Sequence, residues 1–208
     1  MTTRFGVDEL ERLMRMRRDV RHFITDPVAP DVIEAAIAAG NLAPSVGYSQ
    51  PWRWVRVDDP ARRAAVIASH DAVNATAQRE AHADRAEEYG ALKLSGLREA
   101  PVHLAVFCDT ATALGGGLGR TTMPQTLEYS VVMAIYGFWL AARARELGVG
   151  WISILDPAAV TRVLDVPPAW KLIAYLAVGY PAFVSATPEL AERGWERASA
   201  TAAEITQR

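Results

Sequence analysis

Among its 208 residues the chain has one cysteine, Cys108. A single thiol can form neither an internal disulfide nor a thiolate metal cluster, and this scarcity fits a reducing compartment. The four histidines, His22, His70, His82 and His103, have no spacing that would set two imidazoles on one ion, so no metal site is expected. Neither sign of charge is in excess. The formal net charge is -2 and the sequence pI about 6.1, which leaves no footprint for nucleic acid or an anionic membrane. The longest apolar stretch, Val131 to Ala142, is too short and too closely flanked by charge to span a bilayer. Met1 to Arg21 is rich in charge and has no apolar signal core, so a cytoplasmic protein is expected. There is no repeat, linker or low-complexity block. Half of the residues are hydrophobic, enough for the core of a single domain over residues 1–208.

What is present reads as intermixed helices and strands. Asp8 and Glu11 have capping-box spacing, and Leu10, Leu13 and Met14 supply the stripe of a helix ending near Arg17 to Val20. Pro30 and Asp31 start a second helix, which Pro44 stops. Trp52 to Val57 and Val102 to Cys108 read as strands, as do Trp151 to Leu155 and Leu172 to Val178. Residues 61–99 are helical in pattern but polar, which predicts a mobile surface element or lid. From Thr126 to Leu147 the apolar residues run most of the way round a helix, so that helix should be central and buried, with Gly148 and Gly150 ending it. The tail from Pro188 to Arg208 is amphipathic and helix-prone. Without regular βαβ alternation, the class is α+β.

Four strings carry possible chemistry. Arg17-Arg18-Asp19-Val20-Arg21 sets three guanidiniums within five residues, able to fork onto a phosphate. A solvated basic helix end explains them as well. Asp19 among them either pairs with an arginine, its pKa lowered, or faces a ligand as a proton acceptor. Ala43 to Trp52 (APSVGYSQPW) offers backbone donors and the hydroxyls of Ser45 and Ser49, or is an ordinary helix–strand turn. Leu118 to Gln125, followed by Tyr129-Ser130, is a glycine-led loop before the central helix, and the Gly115-Gly116-Gly117 run is no dinucleotide fingerprint. Gly148 to Ile154 (GVGWISI) sets Ser153 inside an otherwise apolar strand, where a buried hydroxyl usually finds a backbone partner. No histidine–acid pair accompanies it, so a hydrolase triad is a poor fit.

In this order and spacing the four strings resemble the flavin-dependent nitroreductase superfamily, over about Met14 to Pro181. The RR-x-x-R and QPW elements are shared widely there. RRDVR, APSVG-x-x-QPW, LGRTTMPQ-x-x-x-YS and GVGWISI are narrower and resemble a branch that consumes its own flavin. The resemblance implies a nitroreductase-like α+β fold, a central, mostly antiparallel sheet flanked by helices, in an intertwined homodimer with FMN at the interface. It implies that Arg17, Arg18 and Arg21 hold phosphate and ribityl oxygens. Pro44, Ser45, Val46, Gln50, Gly119 and Arg120 would approach the flavin or its lid, partly from the partner, and Val20, Trp151, Ile152 and Ser153 would line the same pocket. Asp19 and Ser153 fall where that branch has a functional acid and serine; ordinary nitroreductases usually have serine at the position of Asp19. The implied reaction turns reduced FMN and O2 into 5,6-dimethylbenzimidazole, the lower ligand of vitamin B12, and erythrose 4-phosphate. FMN is then substrate as well as cofactor, and O2 a co-substrate. The alternatives are an NAD(P)H-dependent nitroreductase or flavin reductase and a flavin-storage protein. Whether a separate flavin reductase supplies the reduced FMN is left open.

Overall fold

Two stretches of the chain are apolar at nearly every position, Val102–Asp109 and Trp170–Gly179, and they form the two middle strands of a sheet. A strand covered on both faces has no reason to alternate, so a continuous apolar run is what such a position selects. The computed structural model describes residues 6–80, 83–199, 202 and 204–207. In chain order its elements are α1 (Val7–Met16), α2 (Pro30–Gly40), β1 (Trp52–Arg56), α3 (Pro60–Glu80), α4 (Ala86–Gly90), β2 (Val102–Asp109), α5 (Thr126–Arg143), β3 (Gly148–Ile152), α6 (Pro157–Leu164), β4 (Trp170–Gly179) and α7 (Glu189–Glu192). The sheet order is β1-β2-β4-β3, with every neighbouring pair antiparallel. The α+β class and the antiparallel sheet between helices agree with the expectation.

The pleat sorts the core into two layers. Leu104, Val106 and Cys108 of β2 pack with Ala36 of α2 and Val131, Ala134, Ile135 and Phe138 of α5. Ala105 and Phe107 face the other way, with Val66 of α3 and Val160 and Leu164 of α6. Only one side of α5 is spent in this way. Tyr129, Val132, Met133 and Tyr136, spaced i, i+3, i+4 and i+7, form an apolar stripe exposed on the single chain. Among the described residues no helix is long and apolar enough to cross a membrane.

Several boundaries differ from the sequence reading. α1 starts after Gly6 without a side-chain cap and ends at Met16, so the arginine run lies beyond it in extended backbone. α5 ends at Arg143 rather than Leu147, in a turn with Glu146 at φ 66°. β3 then begins at Gly148 and stops at Ile152, which leaves Ser153 outside the strand. α6 was not anticipated, although its signal is plain: the Asp156 carboxylate accepts the N–H groups of Ala158 and Ala159, and Pro157 opens the first turn. The stretch 61–99 is not uniformly a surface element, because α3 covers the sheet through Val66 and His70 and both are buried. In the tail, the described residues are α-helical only over Glu189–Glu192.

Candidate functional site

The arginine segment is an extra edge to the sheet. Asp19 bridges Val149 in parallel, and the Val20 N–H donates to the Val149 carbonyl at 3.0 Å. Glycine in β3 permits the approach. A Cβ on Gly150 would lie 2.3 Å from the Val20 carbonyl oxygen, so a side chain there would drive the two backbones apart. The GVGW string is therefore not a helix stop but the floor under Asp19 and Val20.

Asp19 is clamped at both oxygens. Its Oδ1 accepts the Trp151 N–H at 2.9 Å, and its Oδ2 receives Nε and Nη2 of Arg21, each at 2.9 Å. Burial raises its pKa above the ordinary value, and Arg21, the Trp151 N–H and Arg17 oppose that rise. The sequence offered two readings, arginine pairing or a proton acceptor. The structure contains the pair, yet the net direction is upward because desolvation outweighs it.

The three arginines are engaged differently. Arg21 also donates to the Lys93 carbonyl at 3.3 Å, tying the turn to the segment after α4. Arg18 donates from Nε and Nη2 to the Ala186 carbonyl. Arg17 lies over aromatic rings of α5, its guanidinium carbon 4.9 Å from the centre of Trp139 and 5.6 Å from that of Tyr136. Its Nε is buried with no hydrogen-bond partner, and so is the Trp139 Nε1. An unpaired buried donor costs about 1–3 kcal/mol, which a bound acceptor would recover. These groups line a cleft of about 550 Å³, counted out to open solvent, together with Arg143 and Ser185. Sequence reasoning missed Tyr136, Trp139 and the chain near Ser185. Nothing local marks a helix tryptophan as a floor for an arginine from another segment.

A second group gathers at the other end of α5. The Ser45 Oγ accepts the Gln50 N–H at 3.0 Å, and the Val46 N–H donates at 3.0 Å to Ser130 Oγ, which donates in turn to the Thr126 carbonyl. Gly47, Tyr48 and Gln50 all have positive φ, near 56°, 57° and 43°. The Gly47 backbone sits against the glycine loop, where a Cβ would lie 2.8 Å from the Leu118 carbonyl oxygen. Val46 faces Gly119 across the same contact, with Arg120 next in the chain and Pro44 exposed before it. Two non-glycine residues in left-handed backbone are strain that the surrounding bonds hold in place. Ser49 Oγ is buried there without a partner.

Within one chain these two groups do not meet. None of Pro44, Ser45, Val46, Gln50, Gly119 and Arg120 lines the arginine cleft. Ser130 holds the loop group near the start of α5, whereas Trp139 underlies Arg17 nine residues on, about 14 Å along the axis. Of the four residues expected beside the arginines, Val20 lines the cleft, whereas Trp151, Ile152 and Ser153 are not among its lining residues. Ile152 is 3% exposed and packs into the α3–α6 core, and its backbone pairs with Tyr175 of β4, so neither is turned toward the cleft. Ser153 is exposed just past β3 rather than buried within it.

The Nitroreductase family profile matches residues 14–180, which spans the arginine turn, both loops and the sheet. The chain belongs to the nitroreductase family. Similar proteins within it include a 5,6-dimethylbenzimidazole synthase of Rhodospirillum rubrum, 54% identical over 189 residues, or 91% of this chain and 90% of that protein. Another of the same name from Rhodobacter capsulatus is 49% identical, covering 91% of each. Among solved structures, oxidized iodotyrosine deiodinase bound to FMN and 3-iodo-L-tyrosine aligns with a TM-score of 0.72 at 23% identity, covering 85% of this chain and 91% of that one. That last likeness is one of fold.

Proposed function

We propose that this chain forms a homodimer holding FMN between its subunits, and that it converts reduced FMN and O2 into 5,6-dimethylbenzimidazole and erythrose 4-phosphate. The observation that carries the reading is Asp19. It is a partly desolvated carboxylate, fixed at both oxygens on the rim of a cleft whose buried donors lack an acceptor. A phosphate dianion fits that donor set. Arg17 supplies a charge with a free Nε, and Arg18 and Arg21 add two more guanidiniums close by.

The homodimer reading rests on two features. The stripe of Tyr129, Val132, Met133 and Tyr136 adjoins an apolar groove containing Leu42, Ala43 and Pro44, and this continuous surface is of a kind that subunit contacts cover. The two groups of site residues lie toward opposite ends of α5, so a second copy crossing α5 would bring its Ser45 loop to the first copy's arginines. Pro44, Ser45, Val46, Gln50, Gly119 and Arg120 would then complete the partner's flavin site.

When bound, reduced FMN supplies the electrons that O2 takes, and its own ring and ribityl C1′ become the product. Asp19 accepts and returns the proton that fragmentation has to move, at the oxygen now facing Arg21. Trp151 N–H and Arg21 fix the direction of that oxygen. Ser153, exposed on one chain, offers its hydroxyl to the flavin. Product analysis tests the reading. Aerobic incubation with FMN and a reducing system should accumulate 5,6-dimethylbenzimidazole; a nitroreductase would consume NAD(P)H and return FMN whole, and a storage protein would do neither. Comparing NADH alone with NADH plus a separate flavin reductase identifies the source of electrons.

A further inference from the structure

Ser153 has no strand to hold it. β3 ends at Ile152, and after four residues the chain enters α6. What fixes this turn comes from α3. His70 Nδ1 lies 2.8 Å from the Ile154 carbonyl oxygen, and Ser69 Oγ accepts the Asp156 N–H at 3.0 Å. A carbonyl can only accept, so the hydrogen of that bond is on His70 Nδ1. Within the turn the Leu155 N–H closes onto the Ser153 carbonyl at 3.0 Å. Ile152 and Leu155, on either side, are buried in the layer that also holds Val66 of α3. Ser153 is thus the exposed apex of a turn pinned from behind at 154, 155 and 156.

His70 is 4% exposed, and with Val66 it makes the buried face of α3. An aliphatic residue would fill that space and bury more apolar surface. A histidine gains over it in one respect only, a donor aimed at the Ile154 carbonyl. We propose that His70 is a positioning residue: through the Ile154 carbonyl it holds the Ser153 hydroxyl at a fixed height against the flavin, with Ser69 as a second tether. This rests on the reading of Ser153 as a flavin contact. Loss of the donor lets the carbonyl turn toward water and carries Ser153 with it. A displacement of an ångström or less changes reaction geometry far more than it changes affinity.

The test uses FMN-loaded full-length protein in five forms: wild type, His70→Leu, His70→Asn, Ser69→Ala and Ser153→Ala. The asparagine amide sets a donor close to the place of Nδ1, and leucine removes it. His70→Leu should bind FMN within about threefold of wild type. It should shift the visible absorption of bound oxidised FMN in the same direction as Ser153→Ala, and lower the fraction of flavin fragmented per turnover by about tenfold. His70→Asn should restore both, and Ser69→Ala should show the same shift with a smaller loss. A wild-type spectrum and fragmentation yield in His70→Leu would overturn the proposal, as would His70→Asn behaving like His70→Leu. If His70→Leu does not fold, Ser69→Ala decides: an unchanged spectrum there rejects the tether. If the wild type fragments no flavin, the synthase reading fails by itself, while the spectra of oxidised holoprotein still accept or reject His70.

Discussion

The arginine turn and the Ser45 loop are both irregular, yet they are held by opposite means. The turn at residues 17–21 is an annex of the sheet. Its backbone pairs with Val149, its acid takes a strand N–H, and glycine in β3 makes room for it. The Ser45 loop is held by its own chemistry: one serine caps its backbone, another reaches it from α5, and three residues adopt positive φ. The turn carries charge and a titratable group; the loop offers backbone and hydroxyls. In the proposed dimer the turn would bind the flavin and move protons, and the loop of a second copy would present a fixed surface opposite it.

The largest expected break in this comparison is Asp19→Asn. It keeps the acceptor for Trp151 and removes the base. Fragmentation of reduced FMN, followed by chromatography, should fall by about 10²–10⁴-fold while FMN still binds. Ser45→Ala, on the half without a proton carrier, should stay within about tenfold of wild type. Equal losses would mean that the acid is not special.

Next come the arginines. Arg17→Ala should weaken FMN binding by about 1.5–3 kcal/mol, measured by fluorescence titration. Arg18→Ala should cost less, because Arg18 already spends two donors on the Ala186 carbonyl. The reverse order would move the phosphate away from Arg17.

Glycine substitutions compare the two scaffolds directly. Gly150→Ala forces backbone against backbone under the arginine turn and should destabilise the fold by about 1–3 kcal/mol, with FMN affinity falling alongside. Gly47→Ala adds about 1–2 kcal/mol of left-handed strain to a Cβ 2.8 Å from the Leu118 carbonyl oxygen, so it should destabilise comparably, but it leaves the arginine turn in place and should change affinity less. Denaturant melts with and without FMN separate the effects.

The smallest effect is on pH. Because Asp19 has a raised pKa in the folded state, the folded chain holds that proton more tightly than the unfolded chain does. The stability from it is full below the ordinary carboxylate range and is lost as pH rises through the raised value. Flavin-free wild type should therefore lose stability relative to Asp19→Asn across that window. A difference that stays flat with pH would contradict the burial of the acid.

Much of this was legible in sequence where the signal is local. Long apolar runs marked β2, β4 and α5, and Pro30 marked the start of α2. The arginine run and Asp19 stand out in the sequence as a possible site, and they share one cleft. What was not legible depends on distant segments. Gly148 and Gly150 read as a helix stop because nothing nearby says that Val20 crosses over them. Ser153 read as a strand residue because its apolar neighbours continue, but Ile154 and Leu155 turn into α6 behind a tether from α3. The stretch that holds α3 reads as a polar surface element or lid, since only Val66 and His70 of the 21 residues of α3 are buried. The start of α6 is marked locally, by the Asp156 cap and Pro157 in the first turn.

An arginine cleft that serves to destroy its flavin differs from one that recycles it in the fate of the flavin's colour. The direct measurement is a single turnover: FMN reduced on the protein without oxygen, then mixed with air, with the yellow absorbance followed to completion. The account predicts that part of the absorbance never returns in the wild type and that 5,6-dimethylbenzimidazole appears in matching amount, whereas Asp19→Asn recovers its full colour. Complete recovery in the wild type, with no 5,6-dimethylbenzimidazole, would contradict it.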